Sequence, residues 1–502
     1  MDKDVVAKVQ LWVDNVKEAD LADELTELRK PGNEEQLNDA FYRDLAFGTA
    51  GLRGTIGVGT NRMNVYVVAQ ATKGVADYLN AHYDHPTLAL ARDSRLKGED
   101  FQRVAAGVLA ANGIKTYVYP RIEPVPTLSF AVRYLGTSAG IVLTASHNPA
   151  AYNGYKVYND NGGQITDEAA AEISANIAAV DPFAIEIMDF DEGLEKGLII
   201  WTPEEVLDSF ISNVKKVSIP GFKADESYSV VYTPLNGTGM ECVTRILKEI
   251  GVDKVSVVPE QAEPDGNFPT CKYPNPEFRE ALELALKLAE DVKPNLVVAT
   301  DPDADRMGTA IPHNGEYKLL SGNEMGVLLM DWLCNMAAAN GEDPKEKVAV
   351  TTIVSSSMPD ALAKDKGFEL RRVLTGFKYI GDQIDQLKDA GEESRYLMGF
   401  EESYGYLIGT HARDKDAIVA VEMCVEMASD YASKGMDLYE AMEALYQKYG
   451  YYLNGTVNAA FPGAAGADRM AAIMSGLRQN PPAEIAGYKV IGMTDYAAGA
   501  EL

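Results

Sequence analysis

A chain of 502 residues is longer than one hydrophobic core organises, so three or four domains with ligand-binding clefts between them are expected. With 46% hydrophobic residues, 24% charged residues and 43 glycines spread along its length, the composition excludes a disordered or fibrous protein. A formal charge of −29 argues against nucleic acid or an anionic membrane surface as a partner, and admits an anionic small molecule only where lysines and arginines converge on one cleft.

The N-terminal segment MDKDVVAKVQLW has acids where an export signal needs a basic region. No run of about 18 uncharged apolar residues occurs elsewhere, so a cytoplasmic protein without a membrane span is expected. Residues 2 to 30 read as helical, with Val6, Val9, Trp12 and Val13 at helical spacing and the next segment closed by Pro31-Gly32. From about 64 to 165, strand-like runs (TLALARDS, TYVYP, AGIVLTAS) alternate with helical runs (VVAQATKGVADYLNAH, EDFQRVAAGVLAANG), the pattern of a mixed α/β sheet with crossover helices. The pattern returns from about 228 to 311, with YSVVYTPL, a helix from Met240 to Ile250, VSVV, a helix from Glu277 to Asp291 and NLVVATD. It returns again from about 322 to 435, with VAVTTIVSS, a helix near 358 to 366, RRVLTG, a helix near 378 to 389, RYLMGFEES and a long helix beginning near Lys415. Three similar units suggest duplication. After Tyr451 the chain loosens into FPGAAGAD, a helix to about Leu477 and a strand-like GYKVIGMTDY, too little for a whole domain. Cys242, Cys271, Cys334 and Cys424 have no metal-type spacing and read as reduced thiols.

Three segments carry chemistry. Thr144-Ala145-Ser146-His147-Asn148-Pro149 follows the apolar strand GIVL, so Ser146 sits on a strand-end loop, where a nucleophile or phosphate carrier belongs and where an ordinary turn also belongs. Positions 144 and 148 lack the glycines of a hydrolase elbow. In an extended segment neighbouring side chains point apart, so His147 is not expected to reach Ser146. Asp301-Pro302-Asp303-Ala304-Asp305-Arg306 follows NLVVAT and offers three carboxylates at alternate positions, which can meet at one point if the chain stays extended and would suit Mg²⁺. Arg306 and Pro312 stand where an EF-hand needs Gly and Glu, and solvated caps are the plainer use of such Asp-rich turns. Gly399-Phe400-Glu401-Glu402-Ser403-Tyr404-Gly405 follows RYLM and has the donors and acceptors to bind sugar hydroxyls. Thr375-Gly376-Phe377-Lys378 and His411-Ala412-Arg413-Asp414-Lys415-Asp416 each open a helix and can present cations and backbone donors to phosphate, or serve simply as surface charge. Arg53 in Gly48-Thr49-Ala50-Gly51-Leu52-Arg53-Gly54, and Lys156 after Gly154-Tyr155, can bring further cations, or belong to flexible connectors.

In this order the segments resemble the α-D-phosphohexomutase family, especially its phosphoglucomutase and phosphopentomutase-like branch, over nearly the whole chain. The TASHNP and DPDADR segments are the most specific, and GFEESYG is of the glucose type. The resemblance implies an α/β fold of three similar mixed α/β domains around a central cleft plus a truncated C-terminal α+β domain, with boundaries at 1–205, 206–315, 316–448 and 449–502. It implies that Ser146 is the phosphoserine, that Asp301, Asp303 and Asp305 bind Mg²⁺ with a Ser146 phosphate oxygen, and that Arg306 lies beside the phosphoserine. Glu401 and Ser403 would contact sugar hydroxyls and Thr375 and Gly376 orient the ring. Arg53, Lys156 and Lys415 match positions near proton transfer or transition-state charge, with Lys378 and Arg413 as further phosphate-side candidates. The family's fourth loop, an Arg-x-Ser-Gly-Thr phosphate clamp, does not occur before Leu502, which a shortened chain would explain.

The implied reaction converts glucose 1-phosphate and glucose 6-phosphate through glucose 1,6-bisphosphate, the sugar phosphate being the only partner expected. Pentose or mannose phosphates are alternative substrates. A phosphatase with an Asp nucleophile fits poorly, because Ala304 and Asp305 break its DxDGT pattern. A catalytically silent sugar-phosphate-binding protein fits the missing fourth loop. The oligomeric state has no signal in the sequence.

Overall fold

Continuous apolar runs such as AGIVL, LVVAT and VAVTT are buried at every position, as strands are when helices cover both faces of a sheet. In the computed structural model, which describes residues 3–455, 461, 463–496 and 500–501, these runs are the centres of three sheets. Pro462 of FPGAAGAD and residues 456–460, 497–499 and 502 of the expected fourth domain lie outside the described residues.

The chain divides into two compact units. The smaller comprises Met1–Asp44, Gly59–Asn61 and Gly455–Leu502. It holds helices α1 (Lys3–Asn15), α2 (Ala19–Leu28) and α3 (Glu34–Phe41), with Trp12 of α1 edge-on to Phe41 of α3. The helical reading of residues 2 to 30 is met by α1 and α2, which are separated where Glu18 takes extended backbone.

Two two-stranded ribbons, Glu484–Ile485 with Tyr488–Lys489 and Thr494–Asp495 with Ala500–Glu501, belong to the smaller unit, while the larger unit, Leu45–Val58 and Arg62–Asn454, contains the three large sheets. The first joins β1 (Leu52–Thr55), β2 (Thr87–Arg92), β3 (Lys115–Val118), β4 (Ala139–Leu143), β5 (Tyr152–Tyr158) and β6 (Ile199–Trp201) in the order β1-β5-β4-β2-β3-β6. Helices α4 (Val65–His82), α5 (Gly98–Ala111), α6 (Val125–Leu135), α7 (Asp167–Ala178), α8 (Phe190–Glu195) and α9 (Glu204–Lys215) accompany it. The second joins β7 (Ser229–Thr233), β8 (Lys254–Val257), β9 (Leu296–Thr300), β10 (Met307–His313) and β11 (Glu316–Leu320) in the order β11-β10-β9-β7-β8, with α10 (Met240–Glu249), α11 (Pro259–Ala262) and α12 (Arg279–Val292). The third joins β12 (Val348–Thr352), β13 (Glu369–Val373), β14 (Tyr396–Glu401) and β15 (Gly405–Ile408) in the order β13-β12-β14-β15, with α13 (Gly322–Ala339), α14 (Met358–Lys366), α15 (Phe377–Asp389), α16 (Ala417–Ser433) and α17 (Leu438–Tyr449).

Each sheet repeats one path. A first strand pairs in parallel with a second on one side, the chain crosses to pair a third on the other side, and a hairpin adds an antiparallel fourth. The reversal of direction beside the first strand is a topological switch point, and in open α/β sheets ligands usually bind outside the carboxyl strand ends at such a point. The duplication expected from sequence therefore appears as a repeated strand order. Lys156, one alternative for which was a flexible connector, lies in β5 paired with Val142 of β4, and the glycine that weakened its strand signal, Gly154, is paired with Arg53 of β1.

One continuous apolar core runs through all three α/β regions, including Phe210, Val243, Val298, Leu328 and Val419. Helix α16 is buried from Ala417 through Ala428, as expected of a helix apolar on nearly every side. The four cysteines are free. Among the described residues no helix is long and apolar enough to cross a membrane.

Candidate active site

The three motif loops occupy the same station in the three sheets, the hairpin after the third parallel strand: β4–β5 carries Ser146, β9–β10 the aspartates, and β14–β15 Glu401 to Tyr404. The Ser146 hydroxyl donates to Asp301 Oδ2 at 2.8 Å. Thr144 Oγ1 accepts the Ser146 N–H at 2.8 Å and donates to Asp303 Oδ2 at 3.0 Å, so the serine loop is tied to the aspartate loop twice. Contrary to expectation, His147 Nδ1 lies 3.1 Å from Ser146 Oγ. Ser146 is not extended but left-handed, at φ 52°, which swings the two neighbouring side chains together. Burial, then Arg306 and Arg53, lower the His147 pKa to about 2, so the ring is neutral.

The aspartate loop also departs from the expected extended form. Asp301 Oδ1 accepts the N–H groups of Asp305 at 3.1 Å and Arg306 at 3.0 Å, and Ala304 turns left-handed at φ 50°. This self-capped turn brings one oxygen of each carboxylate within 4.8 Å of the others. All three are buried, and Asp303 Oδ1 and both oxygens of Asp305 accept no hydrogen bond. Burial and then the charge of Asp303 raise the Asp301 pKa, and the same two causes raise that of Asp305. Asp303 is held below the ordinary carboxylate range in spite of burial, by Lys156, whose Nζ is 3.0 Å from its Oδ2. Buried carboxylate oxygens without hydrogen bonds, converging from one turn, are the donor set of a hard divalent cation, so the residues fit a metal such as Mg²⁺.

Cations enclose the triad. Lys415 Nζ is 3.1 Å from Asp305 Oδ2, and Lys156 Nζ is 3.7 Å from the same atom. Gly405 makes room for Lys415, since a Cβ there would lie 2.2 Å from the lysine Cδ. Lys415 also pairs with buried Asp414 at 2.8 Å, whose second oxygen accepts from Tyr158 at 2.8 Å and Gln164 at 3.0 Å. Arg306 Nη1 donates to the Ser403 carbonyl at 3.0 Å, joining the second and third loops. Buried Glu401 accepts the Gly376 N–H at 2.8 Å, which sets the Thr375-Gly376 turn beside it, with Thr375 exposed. Arg53 Nη1 donates to Asn148 Oδ1 at 3.2 Å at the edge of the serine loop.

Two candidates are engaged elsewhere. Lys378 Nζ pairs with Asp167 at 2.8 Å. Arg413 is fully buried, and its guanidinium binds Asp385 at 2.7 Å, Glu393 at 3.2 Å and the carbonyls of Thr410 and Ala412, leaving no fork for phosphate. A buried guanidinium must satisfy its donors, and here the protein supplies the partners. Asp414, present in its segment without a role of its own, and Arg95 are site residues to which sequence reasoning assigns nothing. The RDSR run after β2 was the one available sign of Arg95, which packs beneath the serine loop.

The chain matches the phosphoglucomutase/phosphomannomutase alpha/beta/alpha domains I, II and III over residues 44–183, 208–315 and 321–449 respectively. It is 37% identical over 491 residues to a phosphoglucomutase of Staphylococcus saprophyticus, covering 97% of this chain and 87% of that one. It is 38% identical over 458 residues to a phosphoglucomutase of Staphylococcus haemolyticus, covering 91% and 82%. A phosphoglucomutase/phosphomannomutase family protein from Burkholderia thailandensis superposes with a TM-score of 0.65 at 18% identity, over 89% of this chain and 86% of that one, a likeness of fold.

Proposed function

Since the chain belongs to the phosphoglucomutase/phosphomannomutase family, we propose that it interconverts glucose 1-phosphate and glucose 6-phosphate through phosphorylated Ser146 and bound glucose 1,6-bisphosphate. The observation that carries this reading is the 2.8 Å approach of Ser146 Oγ to Asp301, within a buried carboxylate triad in which Asp303 Oδ1 and both Asp305 oxygens have no hydrogen bond. Asp301, Asp303 and Asp305 would hold Mg²⁺, which when bound supplies positive charge against the phosphoryl oxygens.

In the proposed cycle Ser146 gives its phosphoryl group to the free hydroxyl of the sugar phosphate. The Oγ–P bond breaks as the sugar O–P bond forms, the bisphosphate turns end for end, and the other phosphate returns to Ser146. Arg53, Lys156, Arg306 and Lys415 counter the charge on the transferring group, where most catalysis of phosphoryl transfer lies. Glu401 and Ser403 hold sugar hydroxyls, and the Thr375-Gly376 turn orients the ring, with Lys378 at its margin. Arg413 is left out of this assignment. A cytoplasmic location and a division at 1–205, 206–315, 316–448 and 449–502 belong to the same proposal.

The test is Mg²⁺-dependent formation of glucose 6-phosphate from glucose 1-phosphate with catalytic bisphosphate. Ser146→Ala is expected to give none, and unchanged activity rejects the carrier role. Turnover of mannose 1-phosphate alone reassigns the sugar, release of inorganic phosphate supports a phosphatase, and binding without turnover supports a silent binder.

A further inference from the structure

Ser146 must hold its hydroxyl against the aspartates from a left-handed backbone, a conformation unfavourable for a non-glycine residue that persists only when its surroundings fix it. The fixing group is a single guanidinium. Arg95 Nη2 donates to the carbonyls of Ser146 at 2.6 Å and Asn148 at 2.5 Å, and Nη1 to those of Pro149 at 3.0 Å and Tyr152 at 2.8 Å. Four carbonyls of one loop therefore turn inward onto one planar fork. Its Nε lies 3.3 Å from Asp93 Oδ2, and its own N–H donates to Asp93 Oδ1 at 2.9 Å. The side chain has no solvent exposure, so no water can take over these bonds.

The second sheet's region closes on the other side of the same residue. The Phe268 ring lies 5.1 Å from the Arg95 guanidinium carbon. Gly266 lies so close to residues 94–96 that a Cβ on it would meet Leu96 N at 2.6 Å and Ser94 O at 2.7 Å. The region that carries Asp301 thus also braces the group that shapes the serine loop.

Building on the mutase reading, we propose that Arg95 is a positioning residue that fixes Ser146 Oγ for phosphoryl transfer by clamping the four carbonyls of its loop. It touches no substrate. Its part is to keep the carrier oxygen stationary while the sugar turns, and lysine cannot replace it because an ammonium has no planar fork.

The test measures wild type, Arg95→Lys and Gly266→Ala in the glucose 1-phosphate assay and by hydrogen exchange over residues 144–153. Displacing the hydroxyl by about 1 Å is expected to lower kcat about a hundredfold while KM stays within about twofold. Amide exchange over 144–153 should rise at least about tenfold with the rest of the chain unchanged. Gly266→Ala keeps every Arg95 donor and shifts only its backbone, so it carries the test if Arg95→Lys does not fold. Wild-type kcat, or unchanged exchange over 144–153, in a folded variant overturns the proposal. An inactive wild type rejects the mutase reading instead, and the exchange measurement then decides alone whether Arg95 sets the loop.

Discussion

Glu422 lies within α16 without solvent exposure, and neither of its carboxylate oxygens has a hydrogen-bond partner. Burial, then the charge of Glu426 one turn along, push its pKa up to about 9. Lys215 of α9 opposes the shift, while Asp416 at the head of α16 and Glu249 of α10 add to it. The unfolded chain releases this proton near pH 4.3, so between about 4.3 and about 9 the folded state binds more protons than the unfolded one. Stability must then fall as pH rises, by about 1.4 kcal/mol per pH unit, reaching about 6 kcal/mol when the folded carboxyl finally ionises. Glu422→Gln cannot ionise and removes the slope. Between pH 6 and pH 9 its stability relative to wild type should improve by about 4 kcal/mol, whatever constant cost the buried amide adds. Urea unfolding at unit pH steps measures this, followed by the fluorescence of Trp332, which donates to Asp430 of α16 at 2.8 Å. Parallel pH profiles for the two proteins would refute the argument and mean that Glu422 has a partner.

Two further outcomes bear on the site. Saturating Mg²⁺ should raise the melting temperature by several degrees, about 3 kcal/mol at a hundred times Kd, and Asp305→Asn should lose most of that shift because neither Asp305 oxygen has a hydrogen bond and the cations facing them are Lys156, Arg306 and Lys415; equal shifts in EDTA-controlled melts would count against a metal on this residue. Arg413→Met should destabilise the fold by about 3–5 kcal/mol by stranding Asp385 and Glu393, while kcat of the folded protein stays within about twofold; a large fall in kcat at unchanged stability would restore Arg413 to the phosphate side.

The parts of the fold legible in sequence are those whose signal is local. Strand β9 and helix α14 could be read because their apolar period and bounding turn residues lie within a single window. Strand β1 and the Gly154 region of β5 could not, because what makes them strands is each other. The pairing of Arg53 with Gly154 joins residues a hundred positions apart, which local propensity does not encode.

The sequence by itself determined which loops carry the reactive groups and their order along the chain, since a hydroxyl after GIVL and three carboxylates after NLVVAT are chemistry written in residue types. Only the tertiary structure decided how those groups face one another. It turned Ser146 into the left-handed region beside His147, folded the aspartates around Asp301 rather than along an extended strand, and set Arg95 beneath the serine loop. It also enclosed Arg413, whose composition alone suggested phosphate, among carboxylates and carbonyls. The physical reason is that a buried polar group must find its partners wherever packing brings them, and those partners lie far away in the chain.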